Sequence, residues 1–267
     1  MITAMTTNAN IFGRKITLFI FLFYFSLSSF STPKAFSIGE KLEYDAYFNW
    51  GMIWLKAAKV DFTVKEAFIK NQKAYQLTVA GSTIKSFDKI FTVRDTLTSF
   101  VSQQDCSPIL HKRIAHEDSY WAEDHFYFDQ YSNQETQVRT VCLRKKTLPS
   151  KKNLSLQGSV TDLVTAIYQL RNKDISTIQT GDQIPFSILL ENDGIAYNLS
   201  LTYKGKTTIK TKKGETYKCH KFIPKLVTGD LFENENDMAI YISDDDRKIP
   251  IYVEAKLRVG SIKVYFS

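Results

Sequence analysis

The chain holds three cysteines in 267 residues, Cys106, Cys142 and Cys219, and no CxxC pair. A thioredoxin-type redox pair and a zinc ribbon both need that spacing, so neither is supported. No phosphate-binding loop is complete: Gly205-Lys206-Thr207 lacks the first glycine, whose place falls on Ser200, and no helical pattern follows. Ser82-Thr83-Ile84-Lys85 has the S-x-x-K spacing of penicillin-recognising enzymes, which place the serine at a helix start. Here it follows a strand-like segment, and neither an SDN nor a KTG element comes after it. The basic residues are not gathered into one stripe. They fall in small groups beside turns, such as Arg144-Lys145-Lys146, Lys151-Lys152, Lys204/Lys206 and Lys210/Lys212/Lys213. That is the pattern of solvated hairpin ends and not of a nucleic-acid surface.

What is present begins with Arg14 and Lys15, followed by the apolar run ITLFIFLFYFSLSSF over 16–30 and small residues at Ser29 and Ser31. This is the layout of a secretory signal peptide, residues 1–31, removed from the mature chain. A retained anchor is the alternative, but the run ends in Ser26, Ser28 and Ser29, short of the ~20 residues that span a bilayer. No cysteine lies near the cut to carry a lipid. Removal leaves 236 residues with 33 basic and 28 acidic side chains, a net charge of +5. Such a balance suits solubility and weak attraction to anionic envelope polymers. The chain is long enough for a single β-rich domain over 32–267, with two subdomains meeting near 145–158 as an option. In an oxidising compartment the odd cysteine count leaves one thiol over. Cys106 and Cys142 can pair, and Cys219 reads as a small buried hydrophobe.

Period-two alternation dominates the mature chain. Leu42, Tyr44, Ala46 and Phe48 share one face of a segment, with Glu43, Asp45 and Tyr47 on the other. Similar segments are predicted over 56–65, 74–82, 90–99, 109–116, 120–129, 135–143, 183–190, 195–204, 207–211, 216–224, 237–242, 250–259 and 261–266. Asn192-Asp193-Gly194 is a hairpin signal. The polar stretch 145–155, with Pro149, reads as a connection. One helix interrupts the strands over 159–172. Ser159 is its expected cap, and Leu163, Val164, Ile167 and Leu170 its apolar stripe. The fold class is therefore mainly β: strongly curved antiparallel sheets, or a partly open barrel, around a central amphipathic helix.

Several blocks together carry a family resemblance. They are Ile38-Gly39-Glu40-Lys41-Leu42-Glu43-Tyr44-Asp45, Trp50-Gly51 and Lys56-Ala57-Ala58, then Phe87-Asp88-Lys89, Val93-Arg94-Asp95 and Ser107-Pro108. Thr161-Asp162-Leu163, Tyr168-Gln169-Leu170-Arg171 and Gly181-Asp182 follow. Last come residues 214–219, Ser243-Asp244-Asp245-Asp246-Arg247-Lys248-Ile249-Pro250 and Gly260-Ser261-Ile262. In this order the chain resembles the exported bacterial family called domain of unknown function 3108 over nearly all of its mature length. Ala58 stands where that family usually has glycine. The resemblance implies β-rich envelope proteins with curved sheets wrapped around a helix, similar to certain capsule-associated lipoproteins. It implies no activity, cofactor or catalytic residue.

No residue is assigned a catalytic, cofactor-binding or metal-binding role, and no cofactor is expected. His111, His116 and His125 fall on adjacent predicted strands. A turn centred on Asp118 would set His111 against His125, and one centred on Tyr120-Trp121 would set His116 there. With Glu117 or Asp124 either pair would suit zinc, although ordinary strand histidines explain them as well. Asp244-Asp245-Asp246 with Glu233, Glu235 and Asp237 is the densest acidic group; it would suit calcium, but lacks a calcium loop's spacing and reads first as a solvated turn. Among many aromatics (Tyr44, Tyr47, Phe48, Trp121, Phe126, Tyr127, Phe128), Trp50 and Trp54 flank Gly51-Met52 at a turn. There exposed rings would stack on sugars or meet acyl chains, although a curved sheet first needs large side chains of this kind to fill its concavity. The leading expectation is an exported, non-enzymatic protein of a Gram-negative periplasm or envelope that binds or carries a glycan or lipid within a concave sheet. The alternatives are an envelope assembly partner without a small ligand, or a hydrolase in which His111, His116 or His220 meets a serine and a carboxylate. No nucleic acid and no membrane span after signal removal are expected.

Overall fold

The strands forecast by alternation lie side by side nearly in chain order. The computed structural model describes residues 34–50, 52–190, 195–225, 234–258 and 260–267, with the Trp50 side chain left aside. The 16–30 run and its cut, Gly51, Asn192-Asp193-Gly194 and Glu233 lie outside the described residues. A first antiparallel run comprises β1 (Lys41–Trp50), β2 (Ile53–Ile69), β3 (Gln72–Thr83), β4 (Arg94–Ser102), β5 (Pro108–Glu117), β6 (Tyr120–Tyr131), β7 (Glu135–Arg144) and β8 (Ser150–Gln157). A short β9 (Val160–Thr161) precedes the helix α1 (Leu163–Asn172). The second run is β10 (Gln183–Leu189), β11 (Ala196–Lys210), β12 (Thr216–Pro224), β13 (Met238–Ser243), β14 (Pro250–Lys256) and β15 (Ser261–Phe266). β15 pairs antiparallel with β1, Tyr44 opposite Phe266, and makes the two runs one 15-stranded sheet.

The edges of that sheet are β8 and β9, and only Gly158 and Ser159 separate them in the chain. The sheet must therefore curl until its edges approach, a nearly closed barrel that protects both. Side chains complete the closure. Thr136 of β7 donates from Oγ1 to the Gly158 carbonyl at 2.6 Å and accepts the Val160 N–H at 3.0 Å. Phe126, Phe128, Val138 and Leu156 from one end of the sheet then pack with Val160 and Leu189 from the other. At the β14–β15 turn Gly260 has a φ of +78°, and a Cβ there would stand 2.1 Å from the Asn49 carbonyl oxygen. Only glycine lets this turn lie against β1.

α1 packs against β3, β4 and β10. Its cap is Asp162 and not Ser159, because Val160 and Thr161 are held extended by parallel pairing with β10. Ser159 instead donates to the Ser132 carbonyl. The buried stripe is Val164, Thr165, Tyr168 and Arg171, displaced from the predicted one, and Leu163 is 42% exposed. The stretch 145–155 is not simply a connection, since β8 begins within it and pairs with β7 along its whole length. The predicted segments 195–204 and 207–211 are one strand, β11, with a bulge between Tyr203 and Lys206 where Gly205 takes a φ of +96°. Cys106, Cys142 and Cys219 are all free and buried, so Cys106 and Cys142 do not pair. Burial pushes the Cys142 thiol up to about 12 and the Cys219 thiol up to about 11.

Arg171 is the largest fully buried side chain. Its guanidinium meets Glu40 at 2.7 and 2.9 Å, donates to the Ala35 carbonyl at 3.0 Å and reaches the Arg247 carbonyl at 3.1 Å. Helix, entering chain and the β13–β14 turn are joined at this point. Arg171→Met leaves the buried Glu40 carboxylate with only the exposed Arg247 guanidinium, 3.9 Å away, and the expected loss is about 3 kcal/mol in chemical denaturation with an unchanged m-value. Lys41→Ala, which removes an exposed pair with Glu43, is expected to leave the midpoint where it was.

Candidate functional site

Three polar clusters are the natural places to look for chemistry. The first lies where α1 begins. Asp162 and Ser99 are fully buried and His111 is 4% exposed. Ser99 Oγ donates to Asp162 Oδ1 at 2.6 Å and lies 2.9 Å from His111 Nδ1, and that same ring nitrogen is 3.2 Å from Asp162 Oδ1. Thr165 adds its N–H to Oδ1 at 2.9 Å and its hydroxyl to Oδ2 at 2.6 Å. Serine, histidine and aspartate are together, as the hydrolase alternative requires. Their order is wrong for catalysis, because a triad needs serine on one imidazole nitrogen and aspartate on the other. Here both crowd Nδ1, and the serine proton points at the carboxylate. The cluster is a helix cap tied to β4 and β5, closed to substrate. Burial by itself would raise the Asp162 carboxyl, but His111 and the donors around it hold it at about 2.

The second cluster links the β11 bulge to the β13–β14 turn. Tyr203 OH stands 3.0 Å from His220 Nδ1, His220 Nε2 lies 2.8 Å from Asp244 Oδ1, and Lys206 Nζ reaches Asp244 Oδ2 at 2.8 Å. With tyrosine donating to Nδ1, the Nε2 proton goes to the carboxylate. His220 is 6% exposed and burial pushes the Tyr203 phenol up, so the phenol is a donor and not a nucleophile. In the third cluster Asp124 lies between Arg144, at 2.5 Å, and Arg113, at 3.4 Å, two guanidiniums facing one buried acid.

The metal sets do not assemble. The β5–β6 turn is centred between Asp118 and Ser119, which sets His125 opposite Lys112, His116 opposite Trp121 and His111 opposite Phe126. Alternation therefore puts His111 and His125 on opposite faces of the sheet. His125 pairs with Glu123 at 2.8 Å. In the acidic run Asp245 accepts from Ser243 Oγ and from the N–H groups of Arg247 and Lys248, as a turn-forming aspartate does. Among the described residues no group of His, Cys, Asp or Glu is arranged to hold a metal ion.

Among the described residues, surface grooves offer little more. One of ≈ 430 Å³ is lined by Asp129, Gln137, Arg139, Asn153 and Leu154, and one of ≈ 420 Å³ by Lys221, Met238, Glu254, Lys256 and Lys263 among others. Neither has an aromatic floor for a sugar ring. The concave side is occupied: Phe36, Val64, Leu77, Val101, Val164 and Tyr168 form one cluster, and Ile175, Ile184, Leu201, Tyr203 and Phe222 another.

The apolar surface lies elsewhere, on one rim of the barrel. The antiparallel order brings the β1–β2, β3–β4, β5–β6, β7–β8 and β14–β15 turns to the same end. There Met52 is 98% exposed, Ile53 63%, Ile90 68% and Leu148 91%, with Trp54, Leu55 and Phe91 also exposed. The first three of these turns are tied together. Phe48 and Phe87 meet edge to face, Ile84 N–H donates to the Ala57 carbonyl at 2.9 Å, and Thr92 N–H to Asp118 Oδ1 at 2.8 Å.

Residues 43–267 match the family model described as protein of unknown function, DUF3108. The chain belongs to the DUF3108 family. No curated protein matches it. Among solved structures it is similar to a beta-barrel-like protein of domain of unknown function DUF1849 from Brucella abortus, at 7% identity and a TM-score of 0.48 over 85% of this chain and 94% of that one.

Within this DUF3108 member the residues that carried the resemblance converge. Glu40, Arg171 and Arg247 come from three separate blocks and meet in one buried network, and Asp88 and Arg94 of two others pair at 2.7 Å. The Asp162 cap was legible only as an acid near a helix start. Its partners Ser99 and His111 are over fifty residues away, beyond any local signal. Because the Asp162 carboxyl is lowered to about 2 from an ordinary value of 3.8, its stabilisation is complete above that ordinary value and is lost as pH falls toward 2. Asp162→Asn is expected to be less stable at neutral pH and to lose this component of the acid dependence. Melting curves between pH 6 and 2, taken on both proteins, check it.

Proposed function

We propose that the chain is an exported, non-catalytic binding protein of the Gram-negative cell envelope that works through the apolar rim of its barrel. One observation carries this reading: the concave side is packed with core side chains, while large apolar residues gather unburied at the β1–β2 and β3–β4 turns. A carrier that held a glycan or lipid inside the sheet would need that space. A soluble chain with no partner gains nothing from a contiguous apolar patch of this kind. The two histidine clusters serve the fold, one capping α1 and the other fastening a bulge to a turn. The segment 1–31, read as a signal peptide, supports export to the compartment where such a partner is met.

The test is a photoreactive amino acid placed at position 52, with position 68 on the opposite rim as control, in cells of the native host. Adducts to an envelope component are expected from 52 and not from 68. A native mass spectrum of protein drawn gently from the envelope is expected to show the bare chain. A discrete small-molecule mass lost on denaturation would overturn the reading in favour of an interior carrier, and adducts from 68 alone would overturn it in favour of the opposite rim.

A further inference from the structure

We infer that the apolar rim is a docking surface for a lipid bilayer bearing anionic headgroups; this rests on the reading of the rim as the working surface. The argument begins with shape. Met52 and Ile53 sit at the tip of a hairpin and are 98% and 63% exposed, so the patch projects and offers no hollow. A projecting apolar tip suits a fluid layer that closes around it, whereas a protein partner would have to supply a matching groove. Trp54 is 39% exposed at the base of the tip, with Lys263 Nζ 4.4 Å above its ring. An indole with a cation beside it is the amphipathic pairing found at the depth of lipid headgroups. Ile90 and Phe91 stand on the neighbouring turn, 68% and 41% exposed.

Charge is the second, independent strand. Lys85 and Lys89 precede Ile90, Lys145 and Lys146 precede Leu148, and Arg258 lies in the β14–β15 turn; all five are exposed. Among the described residues none of these five has an ion pair. At these turns the described acids are engaged in two ways: Asp88 pairs with Arg94 and Glu117 with Arg113, while Asp95 and Asp118 accept from the N–H groups of His116 and Thr92 and have no ion pair among the described residues. Among the described residues of these turns, five bases without an ion pair thus stand against two such acids, so the surface they present is positive and apolar together. Apolar insertion and basic attraction are the two signals that jointly hold a protein on an acidic membrane surface. The opposite rim exposes fewer apolar side chains. Its turns are polar, as in Lys70-Asn71, Gln103-Gln104-Asp105, Ser132-Asn133-Gln134 and Lys212-Lys213-Gly214. Phe68 and Ile38 are the exposed apolar residues among those that lie there.

Protein purified from its own envelope is mixed with vesicles of phosphatidylcholine alone, or of phosphatidylcholine with phosphatidylglycerol, and binding is read by co-sedimentation. Binding to the mixed vesicles is expected, weakening with added salt, and quenching of tryptophan fluorescence by brominated acyl chains is expected to fall in Trp54→Phe. Met52→Glu with Ile90→Glu should abolish binding, and Lys85→Glu or Lys89→Glu should each weaken it by at least about 5-fold. Phe68→Glu, on the opposite rim, should bind as the parent does. These positions are exposed turn or strand-end residues, and a circular dichroism melt confirms each variant is folded. The inference is overturned if the mixed vesicles are not bound, if binding survives the Met52 and Ile90 changes, or if the same changes instead break a self-assembled oligomer. Adducts from position 52 to an envelope protein, with no vesicle binding, would sink the bilayer while leaving the rim as the working surface. Adducts from neither rim would remove both.

Discussion

A buried carboxylate governs how this chain turns from sheet to helix. Asp162 follows β9, the last strand before the barrel's only helix among the described residues, and it is fully buried. An ionised acid in that position is costly unless every lone pair is engaged, and here Ser99, Thr165 and His111 engage it from β4, α1 and β5. The cap thereby does more than start a helix. It fixes where the helix lies against strands met some sixty residues earlier, and so how the concave side is filled. Arg171 repeats the arrangement at the other end of α1, with Glu40 as counter-ion. These two satisfied charges hold a helix of only ten residues, which is why so short a helix can plug so wide a sheet.

Closure of the sheet follows from the same crossing. β8 and β9 are sequence neighbours and sheet opposites, so the chain passes from one edge to the other through Gly158 and Ser159. No ladder joins the edges directly. Thr136 supplies one donor and one acceptor across the seam, the Gly158 N–H reaches the Gln134 carbonyl at 2.9 Å, and Phe126, Leu156, Val160 and Leu189 pack beneath. A sheet of this width, if left open, would expose two edges to other chains.

The strands were largely legible because one face of each is buried and a period of two records that face directly. The family blocks were legible too, and the structure says why some lie so far apart: Glu40, Arg171 and Arg247 belong to a single network. What alternation could not supply was register. Whether His125 meets His111, His116 or neither depends on where a turn without glycine is centred, and a shift of one residue decides it. β8 was missed because its exposed face carries Lys151, Asn153 and Ser155 and its other face is little buried until Leu156, leaving scant apolar contrast. The helix start was misplaced because β9 is only two residues long, too short for any periodic signal. The cap partners were invisible because a buried triangle of serine, histidine and aspartate depends on strand order, which the sequence does not write down locally.

The same triangle shows why proximity of the right residue types is a poor guide to chemistry. A nucleophile must be reachable and must find a base on the side away from the carboxylate; Ser99 is fully buried and its hydroxyl is spent on Asp162. Residues on the strands of this barrel are committed to packing and to satisfying one another. The turns are released from that duty, and at one rim they carry methionine, isoleucine, tryptophan and phenylalanine where loop composition alone would favour small polar residues. Exposing those side chains to water earns no stability in the isolated fold. Their concentration at one end, next to bases with no ion pair among the described residues, is the feature that packing of the barrel does not account for.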